Sequence, residues 1–241
     1  MDDQYVWLVW ASAFLIPWGV LYWLRPADRR PMLKASLVTM PFGLTEPLFV
    51  PEYWSPPSLF DLAATTGFDI ESLIFCFGIG GVGVVLYNAL TRQTLAEVPS
   101  SERHASRHKF HRFILITPFI LFVPLVLLPW NPIYPSLVCL FIGALAAIWC
   151  RPDLKLKCFV GGGIFFVYYV VFLIGLELLS PNYIERVWNL EALSGVSVAG
   201  FPIEELAFAF TFGMYWSTAY EHIAWRRLGS ALGSECEGVK L

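Results

Sequence analysis

Residues 200–221 read GFPIEELAFAFTFGMYWSTAYE, and residues 67–88 read GFDIESLIFCFGIGGVGVVLYN. The two stretches align without a gap at a shift of 133 residues, which sets Glu71 on Glu204, Phe75 on Phe208 and Tyr87 on Tyr220. Each opens on acids and runs on as a long apolar and aromatic segment. A run of about 20 such residues is what a helix needs to cross a bilayer. An ionised side chain in hydrocarbon costs about 2.5–3.5 kcal/mol on insertion scales, so acids there are rare and usually functional.

The composition sets the solvent. Of 241 residues, 57% are hydrophobic and 15% charged, against about 25% charged in a soluble domain. The excess apolar surface needs lipid to cover it. With a net charge of -3 and no basic tract, nothing points to nucleic acid. The five cysteines, Cys76, Cys139, Cys150, Cys158 and Cys236, are odd in number and show no C-x-x-C spacing. They predict buried small hydrophobes rather than a disulfide framework or a zinc site. The opening MDDQYVWLVW lacks the positive n-region of a signal peptide, and its apolar run is long enough to span, so it is expected to stay in the mature protein.

Seven segments read as spans: Tyr5–Leu24, Ala35–Val50, Phe68–Leu90, Phe113–Pro129, Pro135–Cys150, Cys158–Leu179 and Pro202–Trp225. The sequence thus predicts an all-α membrane protein forming one seven-helix domain over 1–241. Of its 16 Lys and Arg, 15 fall on alternate connections and only Arg186 on the other face. That asymmetry predicts the N-terminus outside and the C-terminus in the cytoplasm. Spans 2–3 and 6–7 form a parallel internal repeat, with halves at about 35–112 and 158–227, whose shared site is expected near a pseudo-twofold axis along the membrane normal. The connection 91–112, TRQTLAEVPSSERHASRHKFHR, holds His104, His108 and His111; a metal site is the alternative, and the connection reads as a solvated basic loop beside anionic headgroups with no metal. The stretch GSALGSECEGVKL at the end reads as a frayed tail.

Seven acids lie in or at the ends of spans: Glu46, Asp69, Glu71, Glu177, Glu204, Glu205 and Glu221. All but Glu221 fall in the outer half, and none of the seven spans holds a Lys or Arg to pair with them. At least one is therefore expected to stay protonated near neutral pH. Such an acid among aromatic rings suits protonation of a carbon–carbon double bond. Simpler roles exist for some. Thr66-x-x-Asp69 fits a capping box, first-turn Glu204 and Glu205 complement the helix dipole after Pro202, and Glu221 can pair with Arg226 or Arg227. Tyr220 and its aromatic neighbours suit either packing or cation stabilisation.

These residues carry a resemblance. Tandem three-span units, each with a P-x-E-E motif after an aromatic-rich outer loop, are similar to the integral-membrane lycopene cyclase domain family of prokaryotes and fungi. The likeness runs over about 35–225, and FPIEELAF is its most specific part. It implies Glu204 and Glu205 as motif acids of the second half and Glu71 as the first acid of the first half. Glu46, Asp69, Glu177 and Tyr220 are supporting candidates, and Glu204 is expected to be the more sensitive of its pair because Glu71 matches it. In the first half Asp69 stands where the motif proline would be, and Ser72 where the second acid would be.

The chemistry implied is carotenoid biosynthesis: proton-initiated, redox-neutral cyclisation of the ends of a linear carotene such as lycopene to β-ionone rings, by an isomerase of the intramolecular lyase kind. Its substrate is an apolar polyene drawn from the bilayer of the cell membrane. No cofactor is expected, since no G-x-G-x-x-G follows a strand. A carotenoid or isoprenoid hydratase, another terpene cyclase, and a proton-coupled transporter or sensor are the alternatives.

Overall fold

The computed structural model describes residues 3–229. Cys236 and nearly all of the tail lie outside them. Seven long helical segments build the molecule. Helix α1 (Asp3–Leu24) breaks at Phe14, where Pro17 denies the backbone its N–H and crowds the preceding turn. Helix α2 (Arg29–Thr39) continues as a 3-10 helix, Met40–Leu48, with Pro41 in its first turn and Pro47 inside it. Then come α3 (Ile70–Thr91), α4 (Ser106–Val126), α5 (Ile133–Cys150), α6 (Pro152–Leu179) and α7 (Ile203–Ile223).

Five of these, α1, α3, α4, α5 and α6, are long and apolar enough to cross a membrane. The other two differ from the predicted spans in an instructive way. The second is α-helical only in its first half. Helix α7 carries Glu204, Glu205 and Glu221, which lowers its hydropathy, yet all three are buried. It is a central helix rather than a lipid-facing one, packed on α6 and α5 and crossing α3.

Small residues let the helices meet. A Cβ on Gly80 would fall 2.2 Å from the Thr39 hydroxyl, so α2 and α3 touch closely only because that position is glycine. A Cβ on Gly213 would lie 3.0 Å from the Gly162 Cα, which does the same for α6 and α7.

The two loops predicted to face outward, the outer loops, cap one end of the bundle. Residues 51–67 and 180–201 join through a backbone bridge between Trp54 and Trp188, reinforced by Ser55 N–H to Val187 O at 2.8 Å and Asn189 N–H to Tyr53 O at 2.9 Å. Gly67 and Gly200 both hold positive φ, at 77° and 88°, and both turn the chain into the helix that follows. At the other end, Thr94–Glu97 pairs antiparallel with Arg226–Gly229, and Leu95 faces Leu228, a separation of 133 residues. Asn88 Nδ2–H donates to Glu221 Oε1 at 3.1 Å, again across 133 residues. The shift that aligns the two stretches is thus the separation at which they touch.

One expectation is corrected here. The bundle does hold a counter-cation: Lys157 forms an ion pair with Glu221, both fully buried. Helix α6 begins earlier than the apolar run, so Lys157 sits inside it and its flexible stem reaches α7. Glu221 is therefore neither solvated nor paired with Arg226 or Arg227. Arg226 and Arg227 pair instead with Glu97 and Glu102.

Candidate active site

A cavity of about 300 Å³ lies between the helices beneath the outer loops. Its wall is mostly aromatic and aliphatic, with Phe75 and Ile79 of α3 near Phe208 and Phe212 of α7. These are repeat-related positions, so each stretch gives the same two sites to one cavity. Two acids reach the wall, Glu46 from the 3-10 helix and Glu205 from α7.

Glu205 is held by three neutral donors. Tyr53 O–H and Trp188 Nε1–H donate to Oε1, the latter at 2.8 Å, and Tyr169 O–H donates to Oε2 at 3.0 Å. Tyr53 and Trp188 come from the two outer loops, which explains why those loops must join over the cavity. Burial first, and then the Glu205 carboxylate, push the Tyr53 phenol well above its ordinary pKa, so it stays a donor. Glu46 has the opposite setting. It is buried on the wall beside Trp54 and Ser72, and its Oε1 has no hydrogen-bond partner among the described residues.

The other predicted acids lie elsewhere. Glu71 is fully buried but does not line the cavity, and its Oε1 accepts the backbone N–H of Leu59 at 2.8 Å. Glu204 behaves alike: Oε1 accepts the Ser194 N–H and the Tyr134 O–H, each at 2.8 Å. Each thereby ties the outer loop before it to its own helix. Adjacent helical residues project about 100° apart, so of the Glu204–Glu205 pair one faces the loop and the other the cavity. Asp69 is the N-cap of α3, accepting from Ser72 N–H. Thr66 takes no part in that cap: its hydroxyl oxygen accepts the Phe68 N–H at 3.2 Å, and its O–H donates to the Leu62 carbonyl at 2.7 Å. Glu177 accepts the N–H groups of Asn182 and Ile184, each at 2.8 Å, and so shapes the second outer loop. Tyr220 is half-buried and stands away from the cavity wall. Tyr53, Tyr169 and Trp188 were not among the predicted site residues. Only the aromatic richness of the outer loops signalled the first and last.

The histidine segment also departs from expectation. His104 is exposed, but His108 and His111 are buried, since the segment folds into short helical turns that run into α4.

These features describe a helical protein with five helices long and apolar enough to cross a membrane and a buried, mostly aromatic cavity with two carboxyl groups on its wall. Residues 131–223 match the family model described as Lycopene cyclase, so this segment is similar to a lycopene cyclase domain. It runs from the turn before α5 to the end of α7 and includes Glu204, Glu205, Tyr169 and Trp188. The family suggests carotenoid cyclisation as the class of activity. No curated protein and no solved structure matches the chain.

Proposed function

We propose that this protein closes the ends of a linear carotene such as lycopene to β-ionone rings by acid–base isomerisation inside the cell membrane. The observation that carries this reading is Glu205, set among three neutral donors on the wall of an aromatic cavity. A proton adds to the terminal double bond and leaves a tertiary cation. The neighbouring double bond attacks it, a carbon–carbon bond forms, and a proton leaves the new cation. One proton enters and one departs, so the product is an isomer of the substrate and no electrons are gained or lost. Glu46, whose Oε1 has no hydrogen-bond partner among the described residues, gives the first proton. Glu205, supported by donors, takes the last. The faces of Phe75, Phe208 and Phe212 stabilise the cation between these steps. Glu71 and Glu204 are positioning acids that fix the outer loops.

The remaining architecture follows the same reading. Seven spans cross the membrane, the N-terminus outside and the C-terminus in the cytoplasm. The 20 residues Arg29–Leu48 rise about 34 Å as helix plus 3-10 helix, enough to cross. Two halves around a pseudo-twofold axis are supported by the Asn88–Glu221 and Leu95–Leu228 contacts. A cavity of about 300 Å³ takes one end of a polyene while the rest stays in lipid. Phe119 both lines it and is 43% exposed, which supports a route from the bilayer beside α4. Expression in a lycopene-producing host, followed by chromatography of the pigments, tests the proposal. Cyclic carotene supports it, hydroxylated carotene indicates hydration, and unchanged lycopene counts against both.

A further inference from the structure

Far from the cavity, at the basic end of the bundle, three donor atoms converge. His108 Nδ1 lies 3.3 Å and His111 Nδ1 3.4 Å from Cys150 Sγ, and the three atoms fall within 4.8 Å of one another. Two imidazole nitrogens and a thiolate around a tetrahedral zinc ion would sit with nitrogen and sulfur about 3.5 Å apart, given bond lengths of about 2.0 and 2.3 Å. The two observed nitrogen–sulfur distances match that value. His108 and His111 are three residues apart at the start of α4, and Cys150 ends α5, so the cluster joins two elements.

The surroundings point the same way. His111 Nε2 faces the His222 carbonyl at 3.1 Å, so its proton sits there and Nδ1 is free to bind. Ligating histidines commonly anchor their second nitrogen in this manner. His222 is fully buried, its ring centroid is 4.2 Å from that of His111, and neither of its ring nitrogens has a partner among the described residues. It is a further buried imidazole beside the cluster. Arg107 Nε–H donates to His108 Nε2 at 3.1 Å. Metal on Nδ1 puts the proton on that nitrogen, so Arg107 releases it and keeps its pair with Glu102.

We propose that His108, His111 and Cys150, with His222 beside them, bind a borderline-soft divalent cation such as Zn²⁺ that pins the ends of α4, α5 and α7 together. The acid–base chemistry of the cavity plays no part in it. Hard, oxygen-seeking ions such as Mg²⁺ and Ca²⁺ do not suit this donor set.

The test uses the full chain in detergent, stripped with chelator and titrated with Co²⁺ alone. One Co²⁺ per chain is expected, with a sulfur-to-cobalt charge-transfer band and the intense visible bands of four-coordination, all displaced by Zn²⁺. Peptide-mapped alkylation of the same protein should show Cys150 protected by the metal, and Cys139 and Cys158 unchanged. Cys150→His should bind Co²⁺ without the charge-transfer band. His111→Gln should weaken binding by at least the roughly 10–100-fold that loss of an outer partner costs. A wild-type chain without the band, or with protection at another cysteine, overturns the proposal and leaves a hydrogen-bonded His–Cys–His chain.

Discussion

Residues 67–88 and 200–221 hold matching places in the sequence and do different work. Both open on a glycine with positive φ, both set an acid against a backbone N–H of the preceding outer loop, and both give an aromatic or aliphatic pair to the cavity. They part first at the cavity. The second stretch places Glu205 on the cavity wall, where the first has Ser72. The acid on that side comes instead from Glu46, on the preceding element. A second parting lies deeper, where Asn88 meets Glu221 and only the second stretch needs Lys157 to balance a charge. Likeness in the two stretches therefore follows scaffolding, and their differences mark where charge is placed.

Breaking the asymmetry at the cavity should have the largest effect. Glu205→Gln keeps the size of the side chain and removes its ability to carry a proton, so turnover should fall about 10²–10⁴-fold. The check is pigment conversion by equal amounts of membrane-inserted protein. Near-normal conversion would remove Glu205 from the mechanism.

The deeper difference is tested by stability. Lys157→Met strands Glu221 without its cation, and a buried pair broken on one side typically costs about 3–5 kcal/mol. Thermal unfolding in detergent should show a clear loss. Lys157→Met with Glu221→Met should recover part of it, and a double variant no better than the single would mean that the pair is not coupled.

The shared scaffolding should respond more gently. Glu71→Gln and Glu204→Gln each exchange a carboxyl acceptor for an amide one at a loop N–H, for about 1–3 kcal/mol. Activity should drop far less than in Glu205→Gln, and by similar amounts in the two. A collapse of turnover in Glu204→Gln alone would return the reacting role to that residue. Ser72→Ala should matter least, within about 1 kcal/mol, because its buried hydroxyl has no partner among the described residues to lose.

Much of this was legible in the sequence because apolar length and repeat spacing are one-dimensional signals. Five long apolar helices stand where the runs predicted them, and the shift of 133 residues reappears as contacts. That one of Glu204 and Glu205 would face the cavity also followed from helix geometry, but which one did not. The choice rests on Tyr53 and Trp188, which reach Glu205 from loops more than a hundred residues apart in sequence. Lys157 was missed because a helix can begin before its apolar run does, and a lysine stem spans the difference. His108 and His111 were grouped with His104 in a solvated loop and Cys150 with the core, since nothing in their spacing reveals that the end of α5 returns to the start of α4.

The central claim is that a proton from the protein starts ring closure in the aromatic cavity. Purified chain in detergent, equilibrated in heavy water and given lycopene, tests it most directly by mass spectrometry of the product. Exchangeable carboxyl groups then carry deuterium, and the account predicts one deuteron on carbon for every ring closed, with no added reductant or oxidant. Cyclic product of unchanged mass would contradict it.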